Sequence, residues 1–227
     1  MGLDISSIRA ILFDIDGTLS DSDDHLVMKI ERCLGWPLFF INPLRRHAAA
    51  RWLVMTLESP GNFIYNQADR FDLDSLFIRL LNRRSRSRAD KPREYWIIPG
   101  VREMLAKLAV CYPLGVVSAR GEKTSLAFLD QFNLRGYFGV VVTSQTCRYT
   151  KPFPDPLIHA AHSLGVEPQH CLMVGDTTVD MRAANLAGMQ AMGVLCGFGR
   201  PAELRRAGAH LTLPMTTDLL SIPGLLP

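Results

Sequence analysis

From Ile97 onward the chain alternates short apolar runs with amphipathic segments of about ten residues, and few folds accommodate that order. Strands are predicted at 114–118, 138–143, 172–174 and 191–195, with 211–213 as a last edge strand. Helices are predicted over 101–109, 122–132, 156–164, 179–187 and 201–207. A strand joined to the next through a helix needs a right-handed crossover, so the sheet comes out mostly parallel with helices packed on it. The fold class is therefore α/β, with a Rossmann-like, mostly parallel sheet as its core. Sheets of this kind bind ligands beyond the carboxyl ends of their strands, and polar residues at those ends carry the functional reading.

Residues 20–96 follow a different pattern. Ser20-Asp21-Ser22-Asp23-Asp24 is dense in helix-capping and acidic first-turn residues, which predicts a helix from about Asp24 to Leu34 before Gly35-Trp36-Pro37 ends it. Pro43 starts a second, running through Arg45 to Leu57, and Ser59-Pro60-Gly61 breaks it. Asp72 or Asp74 caps a third, with Leu73, Leu76, Phe77, Leu80 and Leu81 on one face. The expected organisation is a core made of residues 1–19 and 97–227, interrupted by a small all-helical insertion over 20–96 that ends in a basic linker. That linker, Asn82-Arg83-Arg84-Ser85-Arg86-Ser87-Arg88 with Lys91-Pro92-Arg93, reads as a solvated charge run or as a guide for an anionic substrate. A length of 227 residues suits one large core with such an insertion.

The first strand, expected over 8–13, runs into Asp14-Ile15-Asp16-Gly17-Thr18-Leu19. Spacing of two puts both carboxylates on one side of an extended backbone, and Gly17 lets the chain bend away at once. Asp14 and Asp16 are thus left near the sheet's carboxyl edge. Held this close they repel, unless a cation is shared between them or one carries a proton. One reading makes one carboxylate a nucleophile and metal ligand and the other a general acid and base. The other is a solvated turn closing an ordinary strand.

Further polar groups fall at or beyond the ends of later strands. Ser118 closes one, where its hydroxyl and the amides of Ala119 and Arg120 are suited to an anionic oxygen. Lys151 precedes Pro152, Pro154 and Pro156, whose alternate spacing predicts a stiff, extended approach, with Asp155-Pro156 as N-cap and first helical residue. A lysine fixed beside carboxylates offsets their repulsion and holds a phosphate oxygen. Gly175-Asp176-Thr177-Thr178-Val179-Asp180 supplies a second carboxylate pair on a strand-to-helix turn. Asp176 is the stronger metal-ligand candidate, because Asp180 also suits the helix dipole. Oxygen donors without His or Cys suit Mg²⁺.

Composition narrows the class. Hydrophobic residues make up 48%, a globular proportion, and no apolar run approaches the ~18 residues of a membrane span. Five scattered cysteines, with no Cys-x-x-Cys, argue against a disulfide framework or a zinc site, and Cys171 reads as core. The first residues lack a signal-peptide pattern, so a cytoplasmic location is expected. A net charge of +3 is too small to imply nucleic acid by itself.

In combination, Asp-x-Asp-Gly-Thr at Asp14, Ser118 after a strand, Lys-Pro-x-Pro-x-Pro from Lys151 and Gly-Asp-x-x-x-Asp from Gly175 resemble the haloacid dehalogenase superfamily, and its phosphatases in particular. The likeness covers Ile8 to Leu19 and then Pro99 to the end, and the insertion looks like that family's helical cap. Gly197-Phe198-Gly199-Arg200 and Glu203-Leu204 are similar to phosphoglycolate phosphatases and their neighbours. The resemblance implies that Asp14 attacks phosphorus to form an aspartyl-phosphate and that Asp16 serves as general acid and then base. It implies that Thr18, Ser118, Ala119 and Lys151 hold phosphoryl oxygens. Mg²⁺ would be held by Asp14, the backbone carbonyl of Asp16 and Asp176, with Asp180 assisting.

The resemblance also implies that Asp16 favours phosphoryl transfer over carbon–halogen cleavage. The expected activity is hydrolysis of a small phosphomonoester, with phosphoglycolate a candidate. A phosphomutase acting on a sugar phosphate and a non-catalytic binding protein on the same scaffold are the alternatives. The expected partner is a small phosphorylated metabolite rather than a membrane or nucleic acid, with the chain a monomer or homodimer. Arg45, Arg46, Arg51 and Arg79 in the cap match no specificity pattern, and Trp36, Trp52 and Trp96 read as packing anchors.

Overall fold

A computed structural model describes residues 2–21 and 95–226. The helices expected between 24 and 81, the cap arginines, the basic run, Trp36 and Trp52 lie outside the described residues. Six strands form one sheet: β1 (Ala10–Phe13), β2 (Leu114–Val117), β3 (Phe138–Val142), β4 (Cys171–Gly175), β5 (Gln190–Val194) and β6 (Leu211–Leu213). Every adjacent pair is parallel, in the order β3-β2-β1-β4-β5-β6. The order reverses at β1, between β2 and β4, which is where a doubly wound sheet opens a crevice at its carboxyl edge.

β1 is buried along its whole length because it is paired on both sides and covered on both faces. Its alternate residues go to opposite layers. Ile11 and Phe13 join a core with Val101, Met104, Leu105 and Leu108 of α1 (Val101–Cys111) and Phe128 and Leu129 of α2 (Glu122–Gln131). Ala10 and Leu12 join the other, with α3 (Asp155–Ser163) and α4 (Thr178–Leu186) through Leu157, Ala160, Met181 and Ala184, and with Leu204 of α5 (Pro201–Arg206). Gly115 makes room for Leu12, whose Cδ2 would lie 2.7 Å from a Cβ at that position. Each such buried side chain contributes roughly 1.5–3 kcal/mol, so the strand bearing Asp14 is firmly seated. Cys171 is fully buried, and burial lifts its thiol to about 11, as suits a core residue. Among the described residues no helix is long and apolar enough to cross a membrane.

Leu19–Asp21 and Trp96–Ile98 run alongside each other: Asp21 N–H donates to the Trp96 carbonyl (2.9 Å) and Ile98 N–H to that of Leu19 (3.1 Å). The Trp96 carbonyl also accepts from the Ser20 hydroxyl, and Trp96 as a whole is 47% exposed. The proline-rich approach differs from expectation. Residues 150–154 form a turn closed by Phe153 N–H on the Thr150 carbonyl (3.0 Å), and Pro154, at φ −74° and ψ −19°, is the N-cap of a helix beginning at Asp155. Proline's fixed φ is as compatible with a turn or a helix start as with extended chain, and the intervening Phe153 keeps the N–H that closes the turn.

Candidate active site

Asp14 follows β1 directly and its N–H still donates to the Val174 carbonyl of β4 (3.0 Å), so the backbone carrying it is part of the sheet. Its side chain is buried and its Oδ1 accepts from Lys151 Nζ at 2.8 Å. The same ammonium donates to Asp180 Oδ1 (2.6 Å) and to the Val117 carbonyl at the end of β2 (2.8 Å). Three N–H groups thus meet three acceptors, which fixes the lysine completely. Burial pushes the Asp14 carboxyl up, Lys151 opposes the rise and Asp180 and Asp16 add to it, leaving it raised to about 7. Burial works to lower the Lys151 pKa, but the carboxylates of Asp14 and Asp180 outweigh it and the net shift is upward.

Asp180 serves two structures at once. Its Oδ2 accepts from Thr177 N–H (3.1 Å) and Oγ1 (2.6 Å), while its own N–H lies 3.4 Å from Thr177 Oγ1, closing a capping box at the start of α4. The cap orients Oδ1 toward Lys151. Asp176, also fully buried, accepts from Phe198 N–H at 2.8 Å through Oδ2. Gly17, Gly197 and Gly199 close around it: a Cβ at Gly17 or Gly197 would overlap the Asp176 carboxylate, and one at Gly199 its carbonyl. At Gly17 the backbone itself is left-handed, φ +67°, which a side chain rarely adopts. Carboxylate oxygens of Asp14, Asp176 and Asp180 lie within 4.8 Å of one another, all buried, without His or Cys among them. That donor set fits a hard divalent cation, and three buried carboxylates exceed what one lysine neutralises.

Asp16 sits differently. Arg120 grips its carboxylate with two nitrogens, Nε to Oδ2 at 2.7 Å and Nη2 to Oδ1. The two aspartates pair with different basic side chains, Asp14 with Lys151 and Asp16 with Arg120, since the strand ends at Phe13 and its alternation no longer constrains them. Thr18 is fully buried, its hydroxyl without a hydrogen-bond partner among the described residues, while its carbonyl accepts from Thr216 Oγ1 (2.6 Å). Ser118 is buried at the end of β2, its hydroxyl accepting from Arg120 N–H at 3.2 Å; Ala119 beside it is exposed.

From sequence, Arg120 is suggested only as a backbone amide beside Ser118. Its guanidinium, stacked 5.3 Å from the Tyr95 ring and 5.5 Å from that of Phe128, went unnoticed. The one available signal was a basic residue two positions past a strand-end serine. Thr177 as the orienting partner of Asp180 was readable from Thr-x-x-Asp. The brace formed by Thr216, and by Cys196 Sγ on the Gly17 carbonyl (3.4 Å), had no local signal.

The haloacid dehalogenase-like hydrolase family model matches residues 11–194. This chain belongs to that family. Over 224 residues it is 29% identical to a phosphoglycolate phosphatase of Chromobacterium violaceum, covering 97% of this chain and 98% of the other. Over 208 residues it is 30% identical to a phosphoglycolate phosphatase of Nitrosococcus oceani, covering 86% and 87%. A solved hydrolase from Pseudomonas syringae superposes with a TM-score of 0.69 at 25% identity, covering 94% of this chain and 96% of that one. Within the haloacid dehalogenase-like hydrolases the chain is a phosphatase, a phosphoric monoester hydrolase.

Proposed function

We propose that this phosphatase hydrolyses a small phosphomonoester of the phosphoglycolate kind through an aspartyl-phosphate on Asp14, with Mg²⁺ as its cation. The observation that carries the reading is the buried Asp14–Lys151–Asp180 cluster with Asp176 beside it, at the crevice where the sheet order reverses. Lys151 occupies Oδ1 of Asp14, leaving Oδ2 as the attacking oxygen. Oδ2 forms a bond to phosphorus as the ester P–O bond breaks, and Asp16 gives a proton to the departing alkoxide. Asp16 then takes a proton from water as that water attacks phosphorus, the P–O bond to Asp14 breaks, and inorganic phosphate leaves with Asp14 restored.

Mg²⁺ held by Asp14, the Asp16 carbonyl and Asp176, with Asp180 directly or through water, would supply positive charge against the phosphoryl oxygens and keep Asp14 ionised. The buried Thr18 hydroxyl, which has no hydrogen-bond partner among the described residues, the Ser118 hydroxyl and the Ala119 amide would hold those oxygens, and Lys151, its three N–H groups already engaged, would add positive charge beside them. Residues 1–19 and 97–227 would form the catalytic core, with residues 20–96 as an inserted helical cap. The partner is a small phosphorylated metabolite, and free thiols at Cys111, Cys147, Cys171 and Cys196 suit a reducing compartment such as the cytoplasm.

The test is inorganic phosphate release from phosphoglycolate, sugar phosphates and nucleotides, with Mg²⁺ and with a chelator. Release from a small ester that the chelator abolishes is expected. Folded protein silent on every ester, or one that isomerises a hexose phosphate without releasing phosphate, would overturn the reading.

A further inference from the structure

The grip of Arg120 on Asp16 conflicts with the role proposed for Asp16. A carboxylate that must exchange a proton with a leaving group is instead committed, through both oxygens, to a guanidinium fork. Arg120 is well buried, its side chain 13% exposed, held between Tyr95 and Phe128 and anchored through its N–H on Ser118. Asp16 is the open partner, 41% exposed. The rigid member of the pair is therefore the cation and the movable one the carboxylate. The guanidinium also has donor capacity left, because its Nη1 is buried without an acceptor among the described residues.

We propose that Arg120 is a substrate-sensing latch: a carboxylate on the substrate takes the place of Asp16 on the guanidinium, and Asp16 is released toward the phosphoester. The inference rests on the phosphatase reading above and specifies the substrate class, a phosphomonoester bearing a second anionic group a few atoms from phosphorus. The exchange replaces one bidentate carboxylate by another, so it is nearly balanced and needs little from the substrate beyond the matching group. Lys151 is unsuited to the same task, since Asp14, Asp180 and the Val117 carbonyl already take its three N–H groups. A neutral ester of the same size would leave Asp16 latched. Selectivity would then arise from release of Asp16 as well as from binding, because a ligand shifts such an equilibrium only through its preference for one state.

The test compares phosphoglycolate with 2-hydroxyethyl phosphate, which carries a hydroxymethyl group in place of the carboxylate, in the wild-type chain and in Arg120→Ala. The wild type is expected to favour phosphoglycolate in kcat/KM. In Arg120→Ala that preference should collapse by roughly tenfold or more, with phosphoglycolate losing and kcat on the neutral ester rising as Asp16 is freed. Equal losses on both esters would overturn the latch and make Arg120 a support for Asp16 alone; an unchanged preference would overturn it as well. Should Arg120→Ala melt before the assay temperature, Arg120→Lys keeps the charge and stem but loses the fork, and the same collapse is expected of it. A wild type active on phosphomonoesters but indifferent to the carboxylate would overturn the latch while leaving the phosphatase reading standing. A folded wild type inactive on all esters would overturn both.

Discussion

Asp14 is placed for chemistry at the expense of stability. Its carboxyl ordinarily titrates near 3.8 and burial raises it to about 7 in the fold, so folding favours the protonated form. The sign follows from linkage: a raised folded pKa gives stability that is complete below about 4 and lost as pH climbs through about 7. Asp14→Asn cannot ionise, and Lys151 keeps Asp180 and the Val117 carbonyl as partners. In chelator the variant should melt above the parent at pH 8, with the difference shrinking toward pH 4, while phosphate release falls about a thousandfold or more. Parallel melting curves across that range, or near-normal turnover, would refute the assignment. Asp14 and Asp176 stood out in the sequence because each follows a strand directly, and Lys151 because of the prolines after it; the structure brings Asp14, Lys151, Asp176 and Asp180 together. The Arg120–Asp16 pair did not stand out, because its partners are 104 residues apart and a bidentate grip depends on where two loops converge.

At the scale of elements, α4 joins secondary structure to the site through one capping box. Thr177→Ala should cost about 0.5–2 kcal/mol through the lost cap. Because Thr177 also steadies Asp180, the Mg²⁺ concentration for half-maximal phosphate release should rise roughly tenfold, and Thr177→Ser should restore both. Thermal melts and a Mg²⁺ titration read the two effects separately; a lowered melting temperature with an unmoved Mg²⁺ curve would confine Thr177 to the helix. Among the described residues, β1 and the strands and helices from Val101 onward followed from apolar periodicity because their apolar residues pack into the two core layers. The turn at Lys151 escaped that reading, since proline restricts φ without choosing between a turn and extended chain.

For the molecule as a whole, a mostly parallel sheet was legible because helices intervene between successive strands, and all five pairings are in fact parallel, whereas the order in which the strands lie side by side was not legible. That order puts β1 at the reversal and brings the ends of β1, β2 and β4 to one crevice. Lys151 ties segments from those three ends together, its partners lying 137, 34 and 29 residues away along the chain. The Lys151 ammonium is in this sense a clasp that shuts only when the distant parts have met, which makes turnover a clock for assembly. During refolding from denaturant, recovery of phosphate release should coincide with or trail recovery of the sheet's far-ultraviolet signal; activity that ran ahead of the sheet would mean the clasp can close without it.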